Sequence, residues 1–313
     1  MAPLRFAEKG EHMRVVQFDH YGPPEVLQIA DVDAPSPKEG QVQIRVAATS
    51  VNPADFKWRS GALRKFAELQ MPHVVGYDVA GTVAAVGSGV TNFKTGDRVA
   101  ASLHKSGYAE VAVADVASCA HVPAGFDLAT AAALPCAALT GVQMIEDCIK
   151  PRKGQTILVT GATGAVGRFA LFAALAAGAR VVAAVRPAYF DEARKLGAHD
   201  VIALEGGDKP GLSFDHVADT VGGPAVAALC KHTASDGVIC TVSTTPIDPS
   251  GLPSAPKFFP YHHDGAQLEK IIADVAAGKV SMPIARKLPL ASAAEAHRLM
   301  EDGGLRGKVV LEP

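Results

Sequence analysis

The 313-residue chain has almost no excess charge of either sign: 30 Lys and Arg stand against 32 Asp and Glu, a formal net charge of −2. Without a basic field to hold a phosphate backbone or an anionic lipid surface, neither nucleic acid nor a membrane is expected as a partner. The sequence lacks any run of about 18 consecutive apolar residues, the length that crosses a bilayer. Its first residues lack the basic-then-apolar order of a secretory signal, so the expectation is a soluble, cytoplasmic protein. Cysteine is scarce. The five, at positions 119, 136, 148, 230 and 240, are odd in number and include no CxxC pair, which argues against a disulfide framework and for reduced thiols. What the chain has in quantity is apolar material, 48% of residues. At roughly 150 residues per domain this supports two cores and excludes global disorder.

Residues 1–12 are polar and aperiodic and read as a loose extension or an upstream start. From Met13 to about Val122, short β-branched runs (Val42 to Val46, Val74 to Val86, Asp97 to Ala101, Tyr108 to Val113) are punctuated by glycine and proline, the texture of a compact barrel-like module. Beyond Asp127 the chain turns alanine-rich and then alternates. Ile157 to Thr160, Arg180 to Val185, Asp200 to Ala203, Phe214 to Asp219 and Val238 to Val242 read as strands separated by helical segments, which predicts an α/β, doubly wound parallel sheet. A proline-rich connector follows Pro246. Leu268, Ile271, Ile272 and Val275 then lie at helical spacing, Ser292 with Glu295 carries a capping-box signature, and Lys308 to Leu311 is again strand-like.

The run Thr160-Gly161-Ala162-Thr163-Gly164-Ala165-Val166-Gly167 follows a strand and opens a helix. It is a variant of the dinucleotide fingerprint: Gly164 and Gly167 fit the positions where backbone approaches pyrophosphate and where helix packs on strand, while the first glycine of GxGxxG falls on Ala162. Gly161, Thr163, Gly164, Ala165, Val166 and Gly167 are therefore candidate cofactor contacts. At the tip of the second strand an NAD site would carry a carboxylate; here Val185 is followed by Arg186, placed to meet a 2′-phosphate, and the expected cofactor is NADPH. The bland alternative for Arg186 is a solvated surface arginine.

Seven motifs in order, Asn52-Pro53-Ala54-Asp55-Phe56-Lys57-Trp58-Arg59-Ser60-Gly61, Gly76-Tyr77-Asp78-Val79-Ala80-Gly81 into Val86-Gly87, Gly96-Asp97-Arg98-Val99, Ala131-Ala132-Ala133-Leu134-Pro135 with Thr140-Gly141, the fingerprint, Asp219-Thr220-Val221-Gly222-Gly223 and Gly307-Lys308-Val309-Val310, resemble the zinc-independent quinone oxidoreductase and alkenal (enone) reductase branch of the medium-chain dehydrogenase/reductase superfamily. The resemblance implies a GroES-like, β-rich catalytic domain with an inserted Rossmann domain. The expected boundaries are 13–130 and 263–313 for the catalytic domain and 131–262 for the NADP-binding domain. It also implies a homodimer and a small-molecule quinone or enone substrate. Thr140, Val242, Ser243 and Lys308 enter as further cofactor contacts by resemblance.

Zinc-dependent relatives place a Cys, a His and a second Cys at positions matching Asn52, Tyr77 and Cys136. Two of three are replaced, so no metal is expected; a makeshift set of His73, Asp78 and Cys136 is the alternative. Without a Lewis acid, alcohol oxidation is disfavoured and reduction of an electrophilic alkene or quinone is the expected reaction. Lys57 is the candidate stabiliser of the developing oxyanion, or else a surface lysine one turn beyond an Asn52 cap with Pro53 first in the helix. Tyr77 is a candidate for orienting substrate or donating a proton, or is a buried structural phenol. Asn52 is a cap and, by resemblance, a contact on the nicotinamide side. Asp78 with Arg59 is a candidate internal ion pair. The other readings are an enoyl thioester reductase and a non-catalytic, crystallin-like NADPH-binding protein.

Overall fold

A computed structural model describes residues 12–313. The expected extension over 1–12 lies outside the described residues except for His12, which opens the first strand, His12–Phe18. The chain divides into two compact units, one made of residues up to 135 together with 284–313, the other of 136–283. The second junction falls some twenty residues beyond the expected 262/263 break. Hydrogen bonds explain why the intervening segment stays with the second unit: Gln143 Nε2 donates to His262 O at 3.0 Å and to Gln267 Oε1 at 2.8 Å, and the Arg168 guanidinium donates to Ser281 O at 3.0 Å.

The first unit is built on a seven-stranded sheet in which Ile284–Pro289, Lys308–Glu312, Gln41–Ser50, Asp78–Val86, Arg98–Ser102 and Cys119–His121 lie side by side, with Val111–Asp115 also paired to Gln41–Ser50. The central strand Gln41–Ser50 alternates as its sequence does, with Val42, Ile44 and Val46 buried against Val79, Val83, Val99 and Leu103. A smaller sheet orders Gln28–Asp33, His12–Phe18 and His73–Val74. The run expected from Val74 to Val86 is thus two strands. They are separated by a turn in which Gly76 adopts φ 104°, where a Cβ would lie 2.5 Å from the Tyr108 ring. The last strand closes the unit. Lys308–Glu312 pairs antiparallel to Gln41–Ser50, with Val310 opposite Ser50 and Leu311 opposite Thr49, which sets Lys308 beside the chain leaving that strand.

The second unit is a parallel six-stranded sheet in the order Asp200–Ala203, Arg180–Val185, Thr156–Thr160, His216–Asp219, Ile239–Thr241, Lys257–Phe258. Counted along this unit the order is 3-2-1-4-5-6, the arrangement of dinucleotide-binding sheets. Its strands are short and nearly uniformly apolar, as expected where both faces are covered. Leu158, Val182, Val217 and Ile239 share one core with Phe214, Val226 and Leu229. The sixth strand lies inside the proline-rich connector and has no periodicity to announce it. Among the described residues no helix is long and apolar enough to cross a membrane.

The Ser292 capping box does not form. A 3-10 turn, Leu290–Ser292, runs straight into the helix Ala293–Asp302, so Ser292 sits at φ −88°, ψ 20° rather than extended, and its hydroxyl makes no cap bond.

Candidate functional site

In the second unit the order of the strands reverses between Thr156–Thr160 and His216–Asp219, and ligands of open α/β sheets bind beyond the carboxyl ends of the strands at such a point. The glycine turn stands there. Gly161 takes φ 61°, and a Cβ on it would meet Thr220 Oγ1 at 2.5 Å, so the position demanding a left-handed glycine is Gly161 and the following Ala162 is simply buried core. Gly167 is the close-packing glycine: a Cβ there would sit 2.2 Å from Gly161 O. Gly164 caps the helix Ala165–Ala176 without any side-chain cap bond and is exposed, and Ala165 and Val166 after it are half-buried. The first amides of that helix, which have no intrahelical acceptor, are the natural holders of a pyrophosphate.

Asp219 organises the loops around this turn and had no assigned role. Fully buried, its carboxylate accepts from Thr160 Oγ1 and Thr241 Oγ1, both at 2.6 Å, and from the amides of Val221 at 2.9 Å and Gly222 at 3.0 Å. It therefore ties the ends of the first, fourth and fifth strands to the loop that follows its own strand. Arg168 is a second such residue. Buried in the helix, it donates to Thr163 O at 2.8 Å and pairs with Glu192 at 2.9 Å, holding the glycine turn from behind; burial lowers its pKa. The sequence signal for Arg168 was an isolated charge in an otherwise apolar helix.

The remaining expected contacts of this unit are placed as follows. Arg186 directly follows the second strand, exposed, with its guanidinium 5.0 Å from the Tyr189 ring centre, 3.2 Å from Tyr189 Oη, and with no carboxylate partner among the described residues. Thr140 turns its hydroxyl onto its own helix, donating to Cys136 O at 2.6 Å. The Val242 amide is engaged with Asp219 O at 3.0 Å, and the Ser243 hydroxyl donates to Val221 O at 2.7 Å. Side chain and amide at these positions thus shape the loop edge.

In the first unit the helix Pro53–Arg59 starts at Asn52, whose extended backbone and Pro53 successor are those of a helix start. Asp55 closes the cap from inside, its Oδ2 accepting the Asn52 amide at 2.7 Å. The Asn52 side chain also joins a wider network. Its Oδ1 accepts from Lys308 Nζ at 2.6 Å and its Nδ2 donates to Asp78 Oδ2 at 2.7 Å, while Ser50 Oγ donates to the same Asp78 oxygen at 2.7 Å. Lys308 also donates to Val51 O at 2.9 Å and lies 3.8 Å from Asp78. Expected as a cofactor contact, Lys308 is buried in the unit with its ammonium committed to Val51, Asn52 and Asp78, because its strand pairs next to the end of Gln41–Ser50. The expected Asp78–Arg59 pair is replaced by two others: Asp78 faces Lys308, and buried Arg59 pairs with Glu301.

Lys57, one turn into this helix, is half-buried, and burial lowers its pKa. Tyr77 is half-buried too, rather than a core phenol, with its carbonyl accepting from the Leu103 amide at 2.6 Å. Beneath them lies a buried chain that no sequence spacing could reveal. Tyr108 Oη donates to Asp55 Oδ2 at 3.1 Å and lies 3.2 Å from His297 Nε2, although Tyr108 and His297 are 189 residues apart. Burial is the leading cause that raises Asp55 to about 7 and lowers His297 to about 3. Cys136, third of the positions compared with zinc ligands, belongs to the second unit.

A doubly wound sheet of this order with an anion-ready glycine turn, joined in one chain to a β-rich unit made from both chain ends, defines a pyridine-nucleotide-dependent oxidoreductase. A family model described as alcohol dehydrogenase GroES-like domain matches residues 38–186, and one described as zinc-binding dehydrogenase matches 196–311. The chain is 32% identical over 329 residues to a chloroplast envelope quinone oxidoreductase homolog of Arabidopsis thaliana, covering 97% of this chain and 99% of that protein. It is 31% identical over 318 residues to 2-methylene-furan-3-one reductase of Solanum lycopersicum, covering 96% of this chain and 79% of that protein. A solved mycobacterial protein complexed with NADPH matches with a TM-score of 0.83 at 26% identity, covering 96% of this chain and all of that one. The chain belongs to the medium-chain dehydrogenase/reductase superfamily, in its quinone oxidoreductase branch.

Proposed function

We propose that this oxidoreductase is an NADPH-dependent reductase of quinones or of the alkene of α,β-unsaturated carbonyl compounds, and that it works without a catalytic zinc. The observation that carries the reading is the commitment of Asn52. The amide at a position where zinc-dependent relatives have a thiolate is engaged by Lys308 and Asp78. The makeshift alternative is weakened by the same network, since Asp78 is fully buried and already serves Ser50, Asn52 and Lys308. An amide, a phenol and one thiol are a poor donor set for a catalytic zinc, which takes about three good protein ligands.

The glycine turn fits a dinucleotide, because Gly164 leaves the helix N-terminus uncovered and Gly161 and Gly167 accept no side chain. When bound, the reduced dinucleotide supplies the hydride. Arg186, exposed and without a carboxylate partner among the described residues, supports recognition of a 2′-phosphate. Lys57 is assigned the carbonyl oxygen of the substrate: an ammonium about 4 Å from a developing oxyanion, at an effective dielectric near 20, is worth about 4 kcal/mol, roughly a thousandfold in rate. Tyr77 is assigned the orienting or proton-donating phenol. Asn52, its side chain engaged, acts by holding the helix that carries Lys57.

The test is oxidation of NADPH and NADH, followed by nicotinamide absorbance, against a panel of simple quinones, enones and enoyl thioesters, before and after treatment with a chelator. Turnover of quinones or enones that survives the chelator, and that falls by orders of magnitude in Lys57→Ala, is expected. Turnover confined to enoyl thioesters moves the chain to acyl-carrier chemistry. NADPH binding with no turnover at all makes it a non-catalytic binder. A rate lost to the chelator and restored by zinc overturns the metal-free reading.

A further inference from the structure

Arg168 stands where a helix least favours a cation. It is the fourth residue of the otherwise apolar helix Ala165–Ala176, one turn from the end whose dipole is positive, and no acidic side chain lies in that first turn. It is also only 3% exposed. An arginine keeps its charge when buried, so this placement opposes both the helix dipole and the cost of desolvation. Such a position calls for a compensating role.

Its acceptors come from three segments of the second unit. One nitrogen, Nη2, donates both to Thr163 O in the glycine turn, at 2.8 Å, and to Glu192 Oε1, at 2.9 Å. The other, Nη1, donates to Ser281 O at 3.0 Å and to Ser281 Oγ at 3.3 Å, while Nε is buried without an acceptor among the described residues. Because a single nitrogen serves both oxygens, the Glu192 carboxylate stands no further from the glycine turn than two hydrogen-bond lengths. Glu192 lies on the helix Phe190–Lys195, which continues from the turn Pro187–Tyr189 directly after Arg186. A carboxylate is thus held behind a turn whose amides are suited to an anion. Bare, it would repel a pyrophosphate; paired with Arg168, its charge is masked.

We propose that Arg168 and Glu192 form a charge pair that sets how tightly the turn holds a dinucleotide. Arg168 is the positioning residue, shaping the turn through Thr163 O, and Glu192 is the counterweight that limits the positive field there. The inference rests on the dinucleotide reading of the turn but not on which dinucleotide is used, since NADPH and NADH share the pyrophosphate. Its two consequences have opposite signs. Removing the Arg168 charge bares the carboxylate and frees the turn, so affinity falls. Removing the Glu192 charge leaves the guanidinium unanswered behind the turn, so affinity rises. A counterweight of this kind favours departure of the spent nucleotide, and product release limits turnover in many enzymes.

The experiment titrates NADPH and NADH into the full-length wild type, Arg168→Met, Glu192→Gln and the double variant, following nucleotide fluorescence at low and at raised potassium chloride. Urea midpoints of the nucleotide-free proteins, read by circular dichroism, are recorded alongside. Both single variants should lose stability, yet their affinities should move apart. The dissociation constant should rise about tenfold in Arg168→Met, fall severalfold in Glu192→Gln and lie between in the double variant, and added salt should shrink these differences. A pair that only braces the fold would weaken binding in both. Unchanged affinity in Arg168→Met, or unchanged or weakened affinity in Glu192→Gln, would overturn the proposal. Glu192→Gln, at a side chain 35% exposed, decides the sign by itself if Arg168→Met does not fold. A wild type that prefers NADH yet shows the opposed shifts overturns the NADPH reading and keeps the charge pair; one that binds neither nucleotide overturns both.

Discussion

Lys308→Met is the sharpest test of how the two chain ends build the first unit. The substitution keeps an unbranched stem of similar length and removes only the ammonium. It takes a donor from Asn52 Oδ1 and Val51 O and removes the positive charge beside Asp78, which is 0% exposed and keeps neutral donors such as Ser50 and Asn52. At 3.8 Å and an effective dielectric near 20, the Lys308–Asp78 attraction is about 4 kcal/mol. Breaking a buried pair from one side typically costs about 3–5 kcal/mol, because the charge left behind is uncompensated. Lys308→Met should therefore destabilise the unit by about 3–5 kcal/mol, and Asp78→Asn by a similar amount. The double variant should cost clearly less than the sum, since each change relieves the orphan the other creates. The assay is built in. The chain has one tryptophan, Trp58, on the helix Pro53–Arg59 that Asn52 starts, so tryptophan fluorescence in a urea titration reports this unit. A Lys308→Met midpoint within about 1 kcal/mol of wild type, or strict additivity in the double variant, would refute the argument that Lys308 holds Asn52 and Asp78 in place.

Other consequences can be checked separately. Arg186→Ala should raise the NADPH Michaelis constant roughly ten- to hundredfold, the worth of about 1.5–3 kcal/mol of charge-assisted bonding, and leave that for NADH unchanged; an unaltered NADPH constant removes Arg186 from the site. Gly167→Ala puts a methyl 2.2 Å from Gly161 O, so dinucleotide affinity measured by titration should collapse, together with about 1–3 kcal/mol of stability of the second unit. Asp55, raised to about 7 when folded, binds a proton between roughly pH 4 and 7 that the unfolded chain does not. Its contribution is present at low pH and is lost as pH rises through 7, at up to about 1.4 kcal/mol per pH unit. His297, lowered to about 3, works in the opposite sense, its contribution being lost as pH falls below the ordinary imidazole range. Asp55→Asn should therefore be relatively most favourable above pH 7, and urea midpoints between pH 4 and 8 should show the wild-type minus Asp55→Asn difference falling as pH rises. A pH-independent difference would contradict the assigned proton.

The glycine turn was legible because its constraint is local. A strand, a left-handed residue, a helix start and a close helix–strand crossing occupy eight consecutive residues, so spacing alone carries them. Even there the register of the demand moved, to Gly161 from the following position, since which residue turns left-handed depends on Thr220 and Val221 packed above it. The strand Lys257–Phe258 was not legible. Two residues cannot show a period, and they are a strand only because Ile239–Thr241 offers them an edge. The pairing of Asp78 was misassigned for a related reason: Arg59 and Lys308 are equally plausible cations in sequence, and only the antiparallel return of the last strand delivers Lys308.

By itself, then, the sequence determined what short-range periodicity and short motifs encode: a β-rich unit interrupted by a doubly wound one, and a glycine turn between a strand and a helix start. Tertiary structure alone decided which distant groups meet. Lys308 on Asn52 and Asp78, Tyr108 between Asp55 and His297, and Asp219 across three strand ends are each joined by sheet pairing or packing across tens to hundreds of residues. The physical reason is burial. A polar side chain taken out of water must find its partner among whatever the fold brings beside it, and strand order, not spacing along the chain, sets that neighbourhood.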